Sequence, residues 1–244
     1  MMRELLRYRR NVHSQKGEDG VLAELLRRLR VDKGWFCEFG AWDGRYLSNT
    51  LRLLEEGWSG VMIEGDPVRS RDLQKTVRDF DGRLHAIEAF VDHCPGPRTL
   101  DALLAATPIP REFEVLSIDV DGPDYQIWES FTSYRPLLVI IEIHSGYPPG
   151  HEHIHTDGAP SSSFTSMIKL GRTKGYVPLV HTGNLFFIRA DKAGQVCAGD
   201  ASCRGAEQQF LFNRQSASGS AGRMLRYCWQ RLEERLRRGA LSQS

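Results

Sequence analysis

Acidic and imidazole side chains close two of the apolar runs of this sequence. Asp119 and Asp121 end the run around FEVLSID, and Glu142 and His144 end LLVIIEIH. If the two runs are adjacent parallel strands, their ends meet at one sheet edge, and alternation puts Glu142 and His144 on the same side. Two carboxylates and one imidazole suit Mg²⁺ or Mn²⁺, so we predict a divalent metal bound by Asp119, Glu142 and His144.

The same residues also allow chemistry without a metal. An alcohol hydroxyl is a weak nucleophile near neutral pH, and it must lose its proton either to a base or through a metal that lowers its pKa. We predict His144 and Asp119 as the catalytic residues, with His144 as the base. A buried carboxylate such as Glu142 is costly without a partner, so an ion pair or a hydrogen-bonded network is the structural alternative.

A second group of residues is typical of a nucleoside site. The segment EFGAWDG, residues 38–44, lies where a predicted strand meets a helix, and its glycines allow a ligand to approach the backbone. Glu64 ends the next strand, where a carboxylate can accept hydrogen bonds from both ribose hydroxyls. Neither G-x-G-x-x-G nor G-x-x-x-x-G-K-[ST] occurs, which favours a nucleoside ligand without phosphate over NAD or ATP. A plain turn and a solvated acid are the structural alternatives.

Strand-like runs alternate with helical patterns along the chain. The pattern predicts strands near 34–41, 58–66, 84–91, 113–119 and 137–144, and helices over 20–29, 47–56, 67–80, 100–106, 124–131 and 164–174. Ser14 or Asp19 could cap the first helix. The runs 177–181 and 185–189 read as a hairpin. We therefore predict an α/β fold, a doubly wound, Rossmann-like, mostly parallel sheet with a C-terminal antiparallel hairpin, in one domain over residues 1–190.

The rhythm breaks at residues 145–163, which are rich in Gly, Pro, Ser and His. A connection of this length is typical of a lid or an acceptor-binding loop. Its H-x-H-x-H motif, His151, His153 and His155, could hold a transition metal if the segment is extended, although simple polar contacts with a substrate are the alternative. Tyr147 could stack on a sugar ring.

Residues 191–244 form a predicted C-terminal extension. Within it, 223–238 has the pattern of an amphipathic helix, which would dock on the domain or form a homodimer contact. The net charge of +1 argues against a nucleic-acid partner, and no apolar stretch is long enough to span a membrane. No signal peptide is recognisable, so we expect a cytoplasmic protein. Five cysteines at irregular spacing predict neither disulfides nor a zinc site, and Cys37 should be a core residue.

Several motifs together resemble a known family. The segments SQKGEDG (14–20), EFGAWDG (38–44), SNT (48–50), IEGD (63–66), IDVDGPDY (118–125) and IIEIH (140–144) are similar to class I S-adenosylmethionine-dependent methyltransferases of the FkbM-like group. The resemblance covers about residues 15–188. It implies a cofactor site in which Glu38, Gly40 and Asp43 surround the methionine end, Ser48 and Asn49 lie near its carboxylate, Glu64 binds the ribose and Phe90 lies beside the adenine. Gln15 and Ala41 lie in the same motifs and are expected to contact the cofactor too.

The resemblance implies methylation of a hydroxyl group. The leading expectation is an O-methyltransferase, assisted by Mg²⁺ or Mn²⁺, acting on a sugar, a glycoside or a related polar natural product. A nicotinamide-dependent oxidoreductase on the same fold is one alternative, disfavoured by the missing G-x-G-x-x-G motif. A non-catalytic nucleoside-binding module is another, but it would not need Asp119, Glu142 and His144 together.

Overall fold

The computed structural model describes residues 4–196 of the chain. Its strands are β1 Trp35–Phe39, β2 Ser59–Glu64, β3 Leu84–Glu88, β4 Val115–Ile118, β5 Leu138–Glu142, β6 Tyr176–His181 and β7 Asn184–Arg189. Its helices are α1 Glu18–Leu29, α2 Leu51–Glu55, α3 Pro67–Val77, α4 Leu100–Ala105, α5 Asp124–Ser130, α6 Phe164–Thr173 and α7 Ala193–Val196. Every predicted strand and helix up to residue 189 is present.

The seven strands form one sheet in the order β3-β2-β1-β4-β5-β7-β6. The strands β1 to β5 are parallel to one another, whereas β7 is antiparallel to both β5 and β6. The chain order reverses between β1 and β4, and at such a switch point the carboxyl ends of the strands leave a crevice for a ligand. The prediction of a doubly wound, mostly parallel sheet with a C-terminal antiparallel hairpin is confirmed.

Side-chain alternation divides the core between the two faces of the sheet. On β1, Cys37 and Phe39 point into a core that contains α4, α5 and α6, as part of a cluster with Leu104, Trp128 and Met167. Phe36 points the other way, into a core with residues of α1, α2 and α3. Helices therefore cover each of the two faces, as a parallel sheet requires. The thiol of Cys37 is fully buried, as expected.

Two helix starts differ from their predictions. Helix α1 begins at Glu18 after Gly17, and the Ser14 hydroxyl accepts the N–H of Asp19 in its first turn at 3.1 Å, whereas the Asp19 carboxylate does not cap the helix. Instead, the Asp19 carboxylate accepts hydrogen bonds from the backbone N–H groups of Val12, His13 and Ser14, which fixes the preceding segment. Helix α2 begins at Leu51, although the pattern predicted a helix from residue 47.

The helix prediction for 223–238, Cys197, Cys203 and Cys228, and almost all of the predicted extension 191–244 lie outside the described residues. The domain division therefore stays a prediction. Within residues 4–196, no helix has the length and apolar character needed to cross a bilayer.

Candidate functional site

A cavity of about 450 Å³ lies at the carboxyl ends of β1, β2, β4 and β5. Most of the predicted site residues line it, namely Gln15, Glu38, Gly40, Ala41, Ser48, Asn49, Glu64, Phe90, Asp119 and Glu142. Two predicted residues, Asp43 and His144, are not among its lining residues. Sequence segments that are as much as 127 positions apart, from Gln15 to Glu142, thus meet at the switch point of the sheet.

Gly40 brings the ends of β1 and β4 into direct contact. Its φ is +75°, and a Cβ at this position would collide with the carbonyl oxygen of Asp119. The N–H groups of Gly40 and Ala41 both donate to the carbonyl of Ile63 at the end of β2, at 3.1 and 3.2 Å. Only glycine combines this dihedral angle with so close an approach. Gly40 therefore allows the ends of β1 and β4 to pack together where they line the cavity.

Glu38 organises the loop that follows the glycine turn. Its buried carboxylate accepts hydrogen bonds from the hydroxyls of Ser48 and Thr50, each at 2.6 Å, and from the N–H of Asn49 at 2.8 Å. Burial raises the pKa of Glu38, and these hydrogen bonds oppose the shift. The Ser48 hydroxyl, which was predicted near a cofactor carboxylate, is therefore already bonded within the protein, while it still borders the cavity.

Glu64 presents a fixed carboxylate to the cavity. One oxygen accepts the N–H of Trp42 and the other accepts the N–H of Asp66, both at 2.8 Å. A carboxylate oxygen can accept more than one hydrogen bond, so each oxygen retains a free lone pair. The two backbone bonds orient the carboxylate, and the remaining lone pairs suit a diol.

Asp43 has a local structural contact. Its carboxylate accepts hydrogen bonds from the backbone N–H groups of Arg45 and Tyr46, at 2.9 and 2.7 Å, and so closes a turn. The structure does not bring this side chain together with the cavity residues, although the resemblance implied a place for it beside the cofactor.

An aromatic rim borders the cavity, and sequence reasoning missed most of it. Trp42, Tyr46 and Phe90 are 41 %, 57 % and 66 % exposed. The guanidinium of Arg69 lies 3.4 Å from the centre of a Trp42 ring, and the Tyr46 ring is 5.2 Å away. Trp42 has a φ of +53°, an uncommon conformation for a bulky residue. The signal available in the sequence was a large aromatic residue inside a glycine turn.

Three carboxylates form an acidic cluster at the ends of β4 and β5. Oxygens of Asp119, Asp121 and Glu142 lie within 4.8 Å of one another. Burial, together with the neighbouring carboxylates, raises the pKa values of Asp119 and Glu142. Asp121 has a φ of +55°, so the backbone adopts a strained conformation that directs the turn. This acidic cluster has the oxygen donors that a hard divalent cation prefers.

His144 does not join the acidic cluster. Strand β5 ends at Glu142, and the His144 N–H then donates to the carbonyl of Ser162 at 2.9 Å, so strand alternation no longer directs the side chain. The His144 ring instead contacts Tyr147, with the ring centres 4.9 Å apart. Burial lowers the pKa of His144. Of the three predicted metal ligands, the structure brings Asp119 and Glu142 together, with Asp121 beside them in place of His144, and metal binding stays a prediction.

The third acid of the IDVDGPDY motif has a different role. Asp124 is fully buried, and its carboxylate accepts the N–H groups of Val120 and Gly122, each at 3.0 Å. These bonds hold the turn that carries Asp121. Burial raises the pKa of Asp124. Asp124 is therefore a support for the acidic cluster and not one of its members.

The histidines of residues 145–163 do not converge on a metal. His151 stacks on Tyr147 with ring centres 4.6 Å apart, and His153 lies 4.9 Å from the same ring. His155 instead donates its Nδ1–H towards the carbonyls of Ala159 and Pro160. Within residues 4–196, no group of metal-binding geometry contains these imidazoles. The Tyr147 ring is thus surrounded by the rings of His144, His151 and His153, and its stacking on a sugar stays a prediction.

The loop 145–163 nevertheless reaches the acidic cluster. The Ser161 hydroxyl donates to Glu142 at 3.0 Å. The Gln126 side chain donates to the carbonyl of His155 at 2.7 Å, and the His155 ring lies close to Gly122. The loop therefore borders the carboxyl edge of the sheet next to the cavity, as its predicted position requires. Ser161 carried no recognisable signal in the sequence.

The strand order and the cavity together define a class of fold. A sheet ordered β3-β2-β1-β4-β5-β7-β6, with β7 antiparallel, is the Rossmann-like methyltransferase fold. No family model matches the chain, and no curated protein matches it.

Solved structures are similar to the chain in fold. One is a putative caffeoyl-CoA O-methyltransferase from Staphylococcus aureus, with 16 % identity over 77 % of this chain and 88 % of that one and a TM-score of 0.46. A second is a SAM dependent methyltransferase from Aquifex aeolicus, with 10 % identity over 68 % and 86 % and a TM-score of 0.42. A third is the CurJ carbon methyltransferase, with 13 % identity over 77 % of this chain, 57 % of that chain and a TM-score of 0.49. These neighbours include both oxygen and carbon methyltransferases, and the likeness concerns the fold alone.

Proposed function

We propose that this protein is an S-adenosylmethionine-dependent O-methyltransferase that acts, with the help of a divalent metal, on a hydroxyl of a sugar, a glycoside or a related polar natural product. The observation that carries the proposal is the set of acidic side chains in the cavity. Of the described residues 4–196, five carboxyl groups line it, from Glu38, Glu64, Asp119, Asp121 and Glu142, against one guanidinium, that of Arg69. Such a site favours a cationic ligand without phosphate groups.

The glycine turn supports the same ligand class. Helix α2 begins at Leu51, eleven positions after Gly40, so the turn does not lead directly into a helix N-terminus that could hold a pyrophosphate. A dinucleotide such as NAD would bring its phosphates against the cavity carboxylates. This geometry disfavours the oxidoreductase alternative.

The remaining lining residues fit the parts of a sulfonium nucleoside. Glu64 offers two oriented lone pairs to a ribose diol, and the exposed ring of Phe90 offers a flat apolar surface to a base. Gln15 and Asn49 are neutral and polar, and they suit the amino-acid end of the cofactor. Neighbours that all carried one sign of charge would repel either the ammonium or the carboxylate of that end. S-adenosylmethionine would supply an electrophilic methyl group on its sulfonium.

The acidic cluster supports activation of the acceptor hydroxyl. Asp119, Asp121 and Glu142 are the residues that would hold Mg²⁺ or Mn²⁺, and such a cation would lower the pKa of a bound hydroxyl. Asp119 lies against Gly40, and without a metal its raised pKa brings this carboxylate closer to the range in which a group can accept a proton near neutral pH. We therefore assign hydroxyl activation to the cation when a metal is bound, and the proton-accepting role to Asp119 or His144 when none takes part.

Two experiments test the proposal separately. Calorimetry with S-adenosylhomocysteine and with NADH should show binding of the former only, and the reverse result would refute the cofactor assignment. Methyl transfer from radiolabelled S-adenosylmethionine onto a library of sugars and glycosides, with and without EDTA, tests the reaction. Cofactor binding without transfer to any acceptor would instead indicate a nucleoside-binding module.

A further inference from the structure

A second concave surface lies on the N-terminal side of the fold, outside the cavity described above. We name it the arginine groove; its volume is about 420 Å³, and its arginines are Arg7, Arg9, Arg10, Arg27 and Arg52. Among residues 4–196, Glu24 is the one acidic residue that lines it. Guanidinium groups that lack a carboxylate partner repel one another around a groove of this size, and a bound anion reduces this repulsion.

Close backbone packing holds the arginines of the N-terminal segment in place. A Cβ at Gly20 of α1 would collide with the carbonyl oxygen of Tyr8, and the Gly20 N–H donates to the carbonyl of Arg10 at 3.0 Å. The Arg9 guanidinium donates to the carbonyl of Lys16 at 2.8 Å. The segment that contains Arg7, Arg9 and Arg10 is therefore fixed against α1, and the groove is part of the folded domain.

The acidic neighbours do not neutralise the groove. The Glu24 carboxylate is bonded by Arg27 and Arg28, at 2.7 Å each, and these partners lower its pKa to about 2. Arg52 forms an ion pair with Glu56. Among residues 4–196, no carboxylate pairs with Arg7, Arg9 or Arg10, and all three side chains are exposed. Three positive charges thus remain uncompensated on one surface.

We propose that the arginine groove binds a small ligand that contains a diphosphate group. Guanidinium groups match phosphate oxygens in bidentate geometry, and several of them around one concavity suit two adjacent phosphates. The volume lies in the range of small-molecule sites, roughly 300–1,000 Å³. The net charge of +1 for the whole chain gives no general attraction to nucleic acid, which favours a small ligand over a polyanion. This site does not depend on the function proposed for the cavity.

The test is calorimetric titration of the full-length protein with sodium pyrophosphate, at constant ionic strength and with EDTA present to remove divalent metals. The double variant Arg7→Gln/Arg10→Gln removes two unpaired charges from the groove. The matched control is Arg71→Gln/Arg78→Gln, which removes two exposed arginines from the region of α3 and makes the same change in net charge. We expect the groove variant to bind pyrophosphate at least about ten-fold more weakly, a factor that corresponds to ~1.4 kcal/mol, and the control to bind like the wild type.

Three results would overturn the proposal. The first is an equal loss in both double variants, which would indicate only general charge attraction. The second is no detectable binding of pyrophosphate by the wild type at millimolar concentration. The third is binding of phosphatidylserine vesicles that depends on Arg7 and Arg10 and is not reduced by pyrophosphate, which would make the groove a membrane-contact surface.

Discussion

Replacing Glu142 with glutamine should stabilise the protein in the absence of metal. The oxygens of Asp119 and Glu142 lie within 4.8 Å of each other, so two full charges there would repel by at least about 3.5 kcal/mol at an effective dielectric constant of 20. Both side chains are mostly buried but keep some contact with solvent in the cavity, and the resulting screening reduces this value to about 1–2 kcal/mol. Glutamine keeps the shape and can still accept the hydrogen bond from Ser161.

The effect should depend on pH in a definite direction. The pKa of Glu142 is raised in the folded protein, so its contribution to stability is fully present below the usual pKa of 4.5 and is lost as the pH rises through the raised value. In EDTA, the wild type and Glu142→Gln should therefore have similar free energies of unfolding near pH 5. At pH 8 to 9 the variant should be more stable by about 1–2 kcal/mol. Urea unfolding followed by circular dichroism measures this difference.

Addition of Mg²⁺ should reverse the order of stability. A cation bound by the acidic cluster stabilises the wild type by about 2.7 kcal/mol at a hundred times its dissociation constant, whereas the variant, with one ligand charge removed, should gain much less. Ser161→Ala is the matched control, because it removes a hydrogen bond to Glu142 without a change of charge. A less stable Glu142→Gln protein in EDTA at pH 8 would refute the electrostatic reasoning. Equal gains from Mg²⁺ in both proteins would refute the metal site.

Three further predictions concern the rest of the site. Glu64→Ala should weaken S-adenosylhomocysteine binding by roughly 1.5–3 kcal/mol in calorimetry. It should also lower the free energy of unfolding, because the N–H groups of Trp42 and Asp66 lose their acceptor. Unchanged affinity in a folded variant would contradict the ribose assignment. Shortening the loop 145–163 should impair acceptor KM or turnover while cofactor affinity persists, and an equal loss of both would mark the loop as structural. His144→Ala should reduce turnover only mildly if a metal activates the acceptor. A severe loss would identify His144 as the base, and the wild-type rate should then rise with pH at values below 6.5, because the pKa of His144 is lowered.

The sequence was sufficient for the sheet because its information is local. Each strand is an apolar run bounded by turn residues, and their alternation with helices leaves few topologies open. The cavity residues Glu38, Gly40 and Glu64 follow from the same logic, because they occupy the ends of predicted strands at a switch point. The sequence predicted that these residues lie close together, but it did not predict which groups form hydrogen bonds with them.

The differences come from contacts between distant segments. Residues 47–50 have a helical pattern, but the Glu38 carboxylate binds the N–H and hydroxyl groups of this segment, and α2 starts only after it. The expectation for His144 assumed that β5 continues past Glu142. The bond from the His144 N–H to Ser162 ends the strand and turns the ring to Tyr147, and no periodicity in the sequence encodes that contact.

The loop 145–163 is held together largely by its own residues. The His153 N–H donates to the Ser163 hydroxyl, the Ser163 N–H donates back to the carbonyl of His153, and the His155 N–H donates to the Ser162 hydroxyl, all at 2.8–3.0 Å. The loop connects two regular elements, because β5 ends at Glu142, shortly before it, and α6 begins at Phe164, directly after it. Such a segment is an exchangeable module: a foreign loop of similar span could be grafted between these elements without altering Gly40 or Glu64. Under the proposed function, such a graft would change recognition of the acceptor, and it would need a new donor to Glu142 in place of Ser161.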